Sequence, residues 1–194
     1  GDLVALNPRP PELCGVRAIT GAGTGLGVGY MTRDPDGTWR CHASEGGHAD
    51  FAPGNARQAD LLEFARGAAG GHVSWEKLAS GIAFDTLYRF CAREAGQAVP
   101  GSAQDGAALS ARAAAGDSVA EAALNLFVEL YGAWVGNLAL LYRPAAGLYI
   151  AGGVSQHLAA RLAAPRFLDA AFAKGRMRAV VEATPIYLIT NKRL

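Results

Sequence analysis

The chain has 194 residues, enough for one large domain with a sizeable core. It is 51% hydrophobic and 18% charged with a net charge of +1, which indicates a globular protein and gives no electrostatic basis for binding nucleic acid or an anionic membrane. The most apolar segment, residues 130–142, is too short to span a bilayer, and we recognise no signal peptide at the start of the sequence. Three isolated cysteines favour neither a disulfide framework nor a metal site, so we expect structural thiols in a reducing cytoplasm.

The first predicted elements form a hairpin around a glycine-rich loop. Residues 16–20 have the composition of a strand, residues 21–27 read Gly-Ala-Gly-Thr-Gly-Leu-Gly, and residues 28–33 are strand-like again. This glycine loop (residues 21–27) fits no frame of the dinucleotide fingerprint and lacks the Gly-Lys-Ser/Thr ending of a P-loop. Successive amides without side chains can nevertheless form a concave surface that binds phosphate. The alternative is a hairpin whose glycines serve only to allow a positive φ.

A turn with an acid and an imidazole follows the next strand. Asp34-Pro35-Asp36-Gly37 is a strong turn signal, and residues 39–42 return as the third strand of a meander. Glu45-Gly46-Gly47-His48 then places a carboxylate and an imidazole on one tight turn, where both can hold hydroxyl groups. Phosphate binding and hydroxyl binding together suggest phosphoryl transfer to a sugar or polyol. The alternative is a solvated carboxylate and a histidine that only supports the turn.

Apolar periodicity predicts three helices in the middle of the chain. The first spans residues 57–68 and ends at Gly70-Gly71, where glycine allows a left-handed cap. A short helix follows Ser74, a residue type that favours the N-cap position, and a third helix spans residues 83–95. Residues 99–105, which include a proline and a glycine, are predicted to form an exposed loop.

The last part of the chain alternates helix and strand. The longest helix is predicted to begin at Asp117-Ser118, with capping-box spacing between Ser118 and Glu121, and its apolar stripe is expected to face the core. Residues 148–151 form a buried strand, Gly152-Gly153 turns it into a helix, and residues 185–190 form a final strand. A meander followed by alternating helices and strands predicts an α/β fold with a mixed sheet and helices on its faces.

These stretches, in this order, resemble the bacterial-type glucokinase family of the actin-like, Hsp70-like and hexokinase ATPase superfamily, whose domains have a ribonuclease H-like fold. The match runs essentially from end to end. It is carried by the glycine loop and by six further stretches: Glu45-Gly46-Gly47-His48 with Asp50-Phe51-Ala52-Pro53, Gly71-His72-Val73-Ser74-Trp75-Glu76 leading to Ser80-Gly81, Gly136-Asn137-Leu138-Ala139-Leu140, Leu148-Tyr149-Ile150-Ala151-Gly152-Gly153-Val154, Lys174-Gly175-Arg176, and Pro185-Ile186-Tyr187-Leu188-Ile189-Thr190.

The resemblance implies an ATP-dependent kinase that makes glucose 6-phosphate, with ATP and Mg²⁺ as cofactors and glucose as partner. It assigns the glucose hydroxyls to three side chains, those of Glu45, His48 and Glu76. It assigns ATP phosphate to Gly23, Thr24 and Gly25, and the adenosine motif to Gly152 and Gly153. The family's metal contacts are expected elsewhere, so no metal ligand is assigned to this chain.

The resemblance also implies what the chain should not contain. The family's first phosphate hairpin and its Asn-Asp pair, which supplies the general base, lie in a small domain, and neither motif occurs here. Residues 1–194 are therefore expected to be the large domain of a two-domain sugar kinase, inactive alone and partnered by its own small domain. A homodimer is compatible with this scheme. The alternatives are a non-enzymatic sugar sensor on the same fold and a kinase for another hexose.

Overall fold

A computed structural model describes residues 2–98, 101 and 104–191. Its sheet is built from six strands, which are β1 (Leu3–Asn7), β2 (Arg17–Ala22), β3 (Leu26–Arg33), β4 (Trp39–Ser44), β5 (Leu148–Ala151) and β6 (Ile186–Ile189). The strand order is β1-β6-β5-β2-β3-β4. β2, β3 and β4 form the predicted antiparallel meander, whereas β5 lies parallel to both β2 and β6. The predicted mixed sheet is confirmed.

The first strand was not predicted from the sequence. β1 pairs antiparallel with β6 at one edge of the sheet, with Leu3 opposite Ile189. Leu3 and Val4 remain 49% and 43% exposed, so this strand is held mainly by its backbone ladder rather than by a buried apolar face. A strand of this kind carries little of the alternating pattern that identifies strands in a sequence.

The helices connect the strands and supply most of the core. They are α1 (Ala56–Ala69), α2 (Trp75–Ala79), α3 (Ala83–Glu94), α4 (Gly106–Ala114), α5 (Ser118–Tyr142), α6 (Gly153–His157), α7 (Ala159–Leu162), α8 (Pro165–Phe172) and α9 (Arg178–Glu182). α5 packs against α3, α4 and α8. Its most apolar window is long enough to cross a bilayer but is 67% buried inside the protein, as expected for the core helix predicted here. Sequence analysis missed α4, and part of the loop predicted at residues 99–105 lies outside the described residues.

The start of α5 corrects one sequence prediction. Asp117, not Ser118, is the N-cap residue, and its carboxylate accepts hydrogen bonds from the amides of Val119 and Ala120. Glu121 does not complete a capping box, because its carboxylate pairs with Arg161 at 2.6 Å. Burial alone would raise the pKa of Asp117, but these amide bonds and the guanidinium of Arg112 hold it below its ordinary value.

A buried polar link joins α5 to the glycine loop. Trp134 Nε1 donates to Thr20 Oγ1 at 3.0 Å, and Thr20 Oγ1 donates to Gly27 O at 2.9 Å. Thr20 is 1% exposed and Trp134 is 2% exposed, so the bond between these two side chains is shielded from water. The core helix therefore fixes the base of the hairpin that carries the loop.

The cysteines are only partly the structural thiols that were expected. Cys91 is buried in α3, and burial raises the pKa of its thiol to about 11, which keeps it protonated and unreactive at neutral pH. Cys14 and Cys41 are exposed free thiols.

Candidate functional site

The glycine loop is the tip of the β2–β3 hairpin. Gly21 belongs to β2 and Gly27 to β3, which leaves residues 23–25 as the turn, closed by a bond of 2.9 Å from Gly23 N to Gly25 O. None of the loop's glycines has a positive φ. The hypothesis that these glycines serve only to allow positive φ is therefore wrong, and another reason must explain their lack of side chains.

The structure supplies that reason at two positions. A Cβ on Gly25 would lie 2.6 Å from Glu76 Oε2, so a side chain there would displace the carboxylate. A Cβ on Gly23 would meet no atom within 4 Å, which means that this glycine borders open space. Within the described part of the chain, the amides of Thr24 and Gly25 have no hydrogen-bond acceptor. Unpaired amides at an exposed turn are available to an anion.

The Glu45–His48 turn packs directly on the exit of the loop. Residues Gly46–His48 form a single 3₁₀ turn with Glu45 at its N-cap position. Gly47 is buried, and a Cβ there would lie 2.1 Å from Leu26 O. Only glycine permits this approach of two backbone segments. The turn and the glycine loop are therefore parts of one surface.

Three predicted side chains meet on that surface. His48 lies between two carboxylates, with Nε2 3.8 Å from Glu45 Oε2 and Nδ1 3.7 Å from Glu76 Oε1. The side chains of Glu45, His48 and Glu76 are 93%, 59% and 21% exposed, so the group opens to solvent at one end and is anchored in the protein at the other. Two carboxylates and an imidazole in one cluster can accept from and donate to adjacent hydroxyl groups of a sugar ring.

α2 brings Glu76 to this cluster although it lies far from His48 in the sequence. Trp75 N donates to Ala49 O at 3.0 Å, and Asp50 forms an isolated antiparallel bridge with Ser74. These bonds dock the start of α2 beside the Glu45–His48 turn. Ser74 occupies the predicted N-cap position, but its side chain makes no capping hydrogen bond.

A cavity of about 370 Å³ lies on the other side of the glycine loop. It is lined by Gly23, Thr24, Gly81, Ile82, Phe84, Asp105, Gly106, Ala107, Gly153, Val154 and His157. The cavity thus brings together Gly23, Thr24 and Gly153 from two distant motifs. Sequence reasoning missed two parts of the cavity lining. One is the start of α4, which was not predicted, and the other is His157, which no motif singled out.

Two of the predicted phosphate and adenosine residues are not among those lining this cavity. Gly25 lies beside Glu76, as described above. Gly152 has φ +94°, and a Cβ there would lie 2.4 Å from Ala22 O. Its lack of a side chain therefore serves the close packing of the β5–α6 turn against the end of β2, whereas Gly153 faces the cavity.

A second cavity, of about 760 Å³, lies between α5, α8 and the segment before α1. Two residues of the matched motifs face each other there, since Lys174 Nζ donates to Asn137 Oδ1 at 2.6 Å and to Ala133 O at 3.1 Å. Burial lowers the pKa of Lys174. A Cβ on Gly136 would lie 2.2 Å from Ala171 O. These motif positions are explained by the packing of α5 on α8, so we assign no ligand to this cavity.

No group of three or more His, Cys, Asp or Glu side chains suited to a metal ion occurs in residues 2–98, 101 and 104–191.

This chain has the actin-like ATPase fold. The features that define it are the mixed sheet, the hairpin loop with free amides and the helices that follow. The glucokinase family profile matches residues 1–194, and the chain belongs to the glucokinase family. It is 34% identical to glucokinase of Synechocystis sp. over 100% of this chain and 60% of that protein. It is 39% identical to glucokinase of Chromobacterium violaceum over 95% of this chain and 51% of that protein.

Solved structures agree with this assignment. The crystal structure of glucokinase from an Antarctic psychrotroph is 31% identical, with a TM-score of 0.90 over 98% of this chain and 58% of that one. Glucokinase from Balamuthia mandrillaris in complex with glucose is 21% identical with a TM-score of 0.75, which shows a shared fold alone. This chain therefore spans between about half and 60% of the length of these relatives.

Proposed function

We propose that residues 1–194 are the large domain of an ATP-dependent glucokinase and supply its glucose-binding surface and part of its ATP-binding surface. The observation that carries the proposal is the common surface on which a hydroxyl-binding cluster and a loop with free amides adjoin. Glu76 touches both, with Oε1 3.7 Å from His48 Nδ1 and Oε2 3.0 Å from Leu26 N. Phosphoryl transfer needs an acceptor hydroxyl and a γ-phosphate held side by side.

On the sugar side, Glu45 and Glu76 would accept hydrogen bonds from glucose hydroxyls. His48, between them, can donate through one ring nitrogen and accept through the other. The solvent-exposed end of the cluster leaves room for a ring to enter, and the more buried Glu76 would fix its position. Three polar groups that bind one sugar ring can distinguish the stereochemistry of adjacent hydroxyls, because a misplaced hydroxyl leaves a partner unpaired.

On the nucleotide side, the free amides of Thr24 and Gly25 and the Thr24 hydroxyl would bind phosphate oxygens. The cavity beside Gly23 and Gly153 would take the adenosine, and Gly152 would set the turn that places Gly153 there. Mg²⁺ would neutralise charge on the triphosphate, as in other phosphoryl-transfer enzymes. This chain's own contribution is positioning, since its amides hold the phosphate while the carboxylates hold the sugar.

The remaining chemistry is proposed to come from the enzyme's small domain. A carboxylate there would take the proton from the glucose 6-hydroxyl, whose oxygen forms a bond to the γ-phosphorus as the bond to ADP breaks. Closure of the two domains would exclude water from the reacting atoms and limit hydrolysis of ATP. We place the enzyme in the cytoplasm. A homodimer is also compatible with the proposal.

The test is a coupled assay of glucose 6-phosphate formation by the full-length protein with ATP and Mg²⁺. Glu45→Gln should raise the glucose KM about tenfold or more and leave the ATP KM nearly unchanged, because a charged acceptor for a hydroxyl is lost. Glu63→Gln is the matched control: Glu63 is 69% exposed on α1 and, among the residues that the structure describes, it pairs only with Arg66. Glucose binding without turnover would indicate a non-enzymatic sugar sensor. A lower KM for another hexose than for glucose would indicate a kinase with a different substrate.

A further inference from the structure

Glu76 contacts the glycine loop as well as the cluster proposed to bind the sugar. Its Oε2 accepts a hydrogen bond from Leu26 N at 3.0 Å, at the point where the glycine loop enters β3. The same oxygen lies 2.6 Å from the position that a Cβ on Gly25 would occupy. The other oxygen, Oε1, is directed to His48. One carboxylate therefore divides its two oxygens between the loop and the hydroxyl-binding cluster.

Two residues that directly follow α2, Ser80 and Gly81, hold the glycine loop at two further points. Gly81 N donates to Gly23 O at 2.7 Å. Ser80 Oγ lies 3.2 Å from Thr24 O and 2.7 Å from Glu76 O, and Ser80 is fully buried. A Cβ on Gly81 would lie 2.6 Å from Gly23 O, so this close approach depends on glycine. Residues 76–81 thus contact the loop at Gly23, Thr24 and Leu26.

These three contacts leave the amides of the turn facing away from α2 and free for an anion. Bonds that engage Gly23 O and Thr24 O fix the peptide planes whose opposite sides carry the amides of Thr24 and Gly25. The bond from Leu26 N to Glu76 fixes the next amide in the series. Ordering a loop before the ligand binds removes that part of the conformational entropy loss from the binding step.

We infer that Glu76 is a positioning residue for the glycine loop, in addition to its proposed contact with the sugar. This inference rests on the proposed function for the identity of the two ligands, but the contact itself does not depend on them. Because Glu76 serves both sides, a shift of its carboxylate on sugar binding changes the loop. Whatever factor sugar binding changes the nucleotide affinity by, nucleotide binding then changes the sugar affinity by the same factor.

The first measurement concerns the loop alone, in the full-length protein without ligands. Amide hydrogen exchange followed by NMR reports the protection of the Leu26 amide. Glu76→Ala should accelerate this exchange about tenfold or more, because a bond to a charged acceptor is removed. Glu76→Gln should retain most of the protection, since the carboxamide oxygen can accept the same bond. Unchanged protection in Glu76→Ala would overturn the inference.

The second measurement is calorimetric titration with ADP in the absence of sugar. Glu76→Ala should weaken ADP binding about tenfold, whereas Glu76→Gln should weaken glucose binding but leave ADP affinity within about twofold. Glu45→Gln, which alters only the sugar side, should leave ADP affinity unchanged, as should the control Glu63→Gln. Equal ADP affinity in wild type and Glu76→Ala would reduce Glu76 to a sugar contact, and equal loss in the Gln and Ala variants would also refute the inference.

Failure of the proposed function would look different. If the wild-type protein bound neither ADP nor glucose, the kinase assignment would fail, while the exchange of the Leu26 amide would still decide whether Glu76 orders the loop.

Discussion

Replacing Gly25 by alanine should disturb ligand binding more than folding. The new Cβ would stand 2.6 Å from Glu76 Oε2 and 3.5 Å from its Cδ, so the carboxylate must retreat until it is at least 3.0 Å away. It has room to do so, because the Glu76 side chain is 21% exposed and the contact is made by its far end. The retreat weakens the bond to Leu26 N and moves Oε1 relative to His48.

The size of the effect on glucose follows from the proposed hydrogen bond between a glucose hydroxyl and the Glu76 carboxylate, which the retreat would misalign. A hydrogen bond to a charged group contributes about 1.5–3 kcal/mol, and because the displaced carboxylate regains some hydration we take the lower end, about 1.5 kcal/mol. That corresponds to roughly tenfold weaker binding of glucose. The free energy of unfolding should fall by less than about 1 kcal/mol, because no backbone atom has to move.

The assay is calorimetric titration of the full-length protein with glucose and, separately, with ADP. Gly23→Ala is the matched comparison: its Cβ would meet nothing within 4 Å, so Glu76 stays in place, but the methyl group borders the cavity proposed for the nucleotide. Gly25→Ala should weaken glucose binding and Gly23→Ala should not. Wild-type glucose affinity in Gly25→Ala would refute the placement of Glu76 at the sugar.

Three further predictions concern packing, pH and the activity of residues 1–194 by themselves. Gly136→Ala should destabilise the protein by about 1–3 kcal/mol in denaturant unfolding, because its Cβ would lie 2.2 Å from Ala171 O; an unchanged midpoint would contradict the α5–α8 packing. Asp117→Ala should lower stability by about 1 kcal/mol at pH 7 through loss of the N-cap. The folded pKa of Asp117 is below its ordinary value of 3.8, so its charge stabilises the fold above that pH and the contribution is lost as pH falls through the folded pKa. The difference between wild type and Asp117→Ala should therefore shrink in acid, and a difference that stayed constant would show that the charge is not involved. Residues 1–194 alone should phosphorylate glucose about 10²–10⁴-fold more slowly than the full-length enzyme, as expected without a general base; near-normal turnover would place that base within this chain.

Local sequence patterns were enough to predict those elements of the fold that depend on residues close together in the chain. The hairpin around the glycine loop, the turn at Gly70 and the buried strand of residues 148–151 each depend on residues that are neighbours in the chain. Gly70, for example, has φ +70° at the end of α1, a conformation for which glycine is favoured whatever surrounds it. The family resemblance added the grouping of Glu45, His48 and Glu76, but no spacing in the sequence could supply the distances between them.

Tertiary structure decided the rest, because it depends on contacts between residues far apart in the chain. The sequence could not show that Gly25 lacks a side chain to make room for Glu76, or that Gly47 does so to admit Leu26 O. The family resemblance placed Gly152 on the nucleotide side, and only the structure shows that a Cβ on this glycine would lie 2.4 Å from Ala22 O. A sequence does not show whether a glycine is needed for a turn, for a ligand or for the close approach of another backbone segment. Only the atom that its missing Cβ would meet distinguishes these reasons.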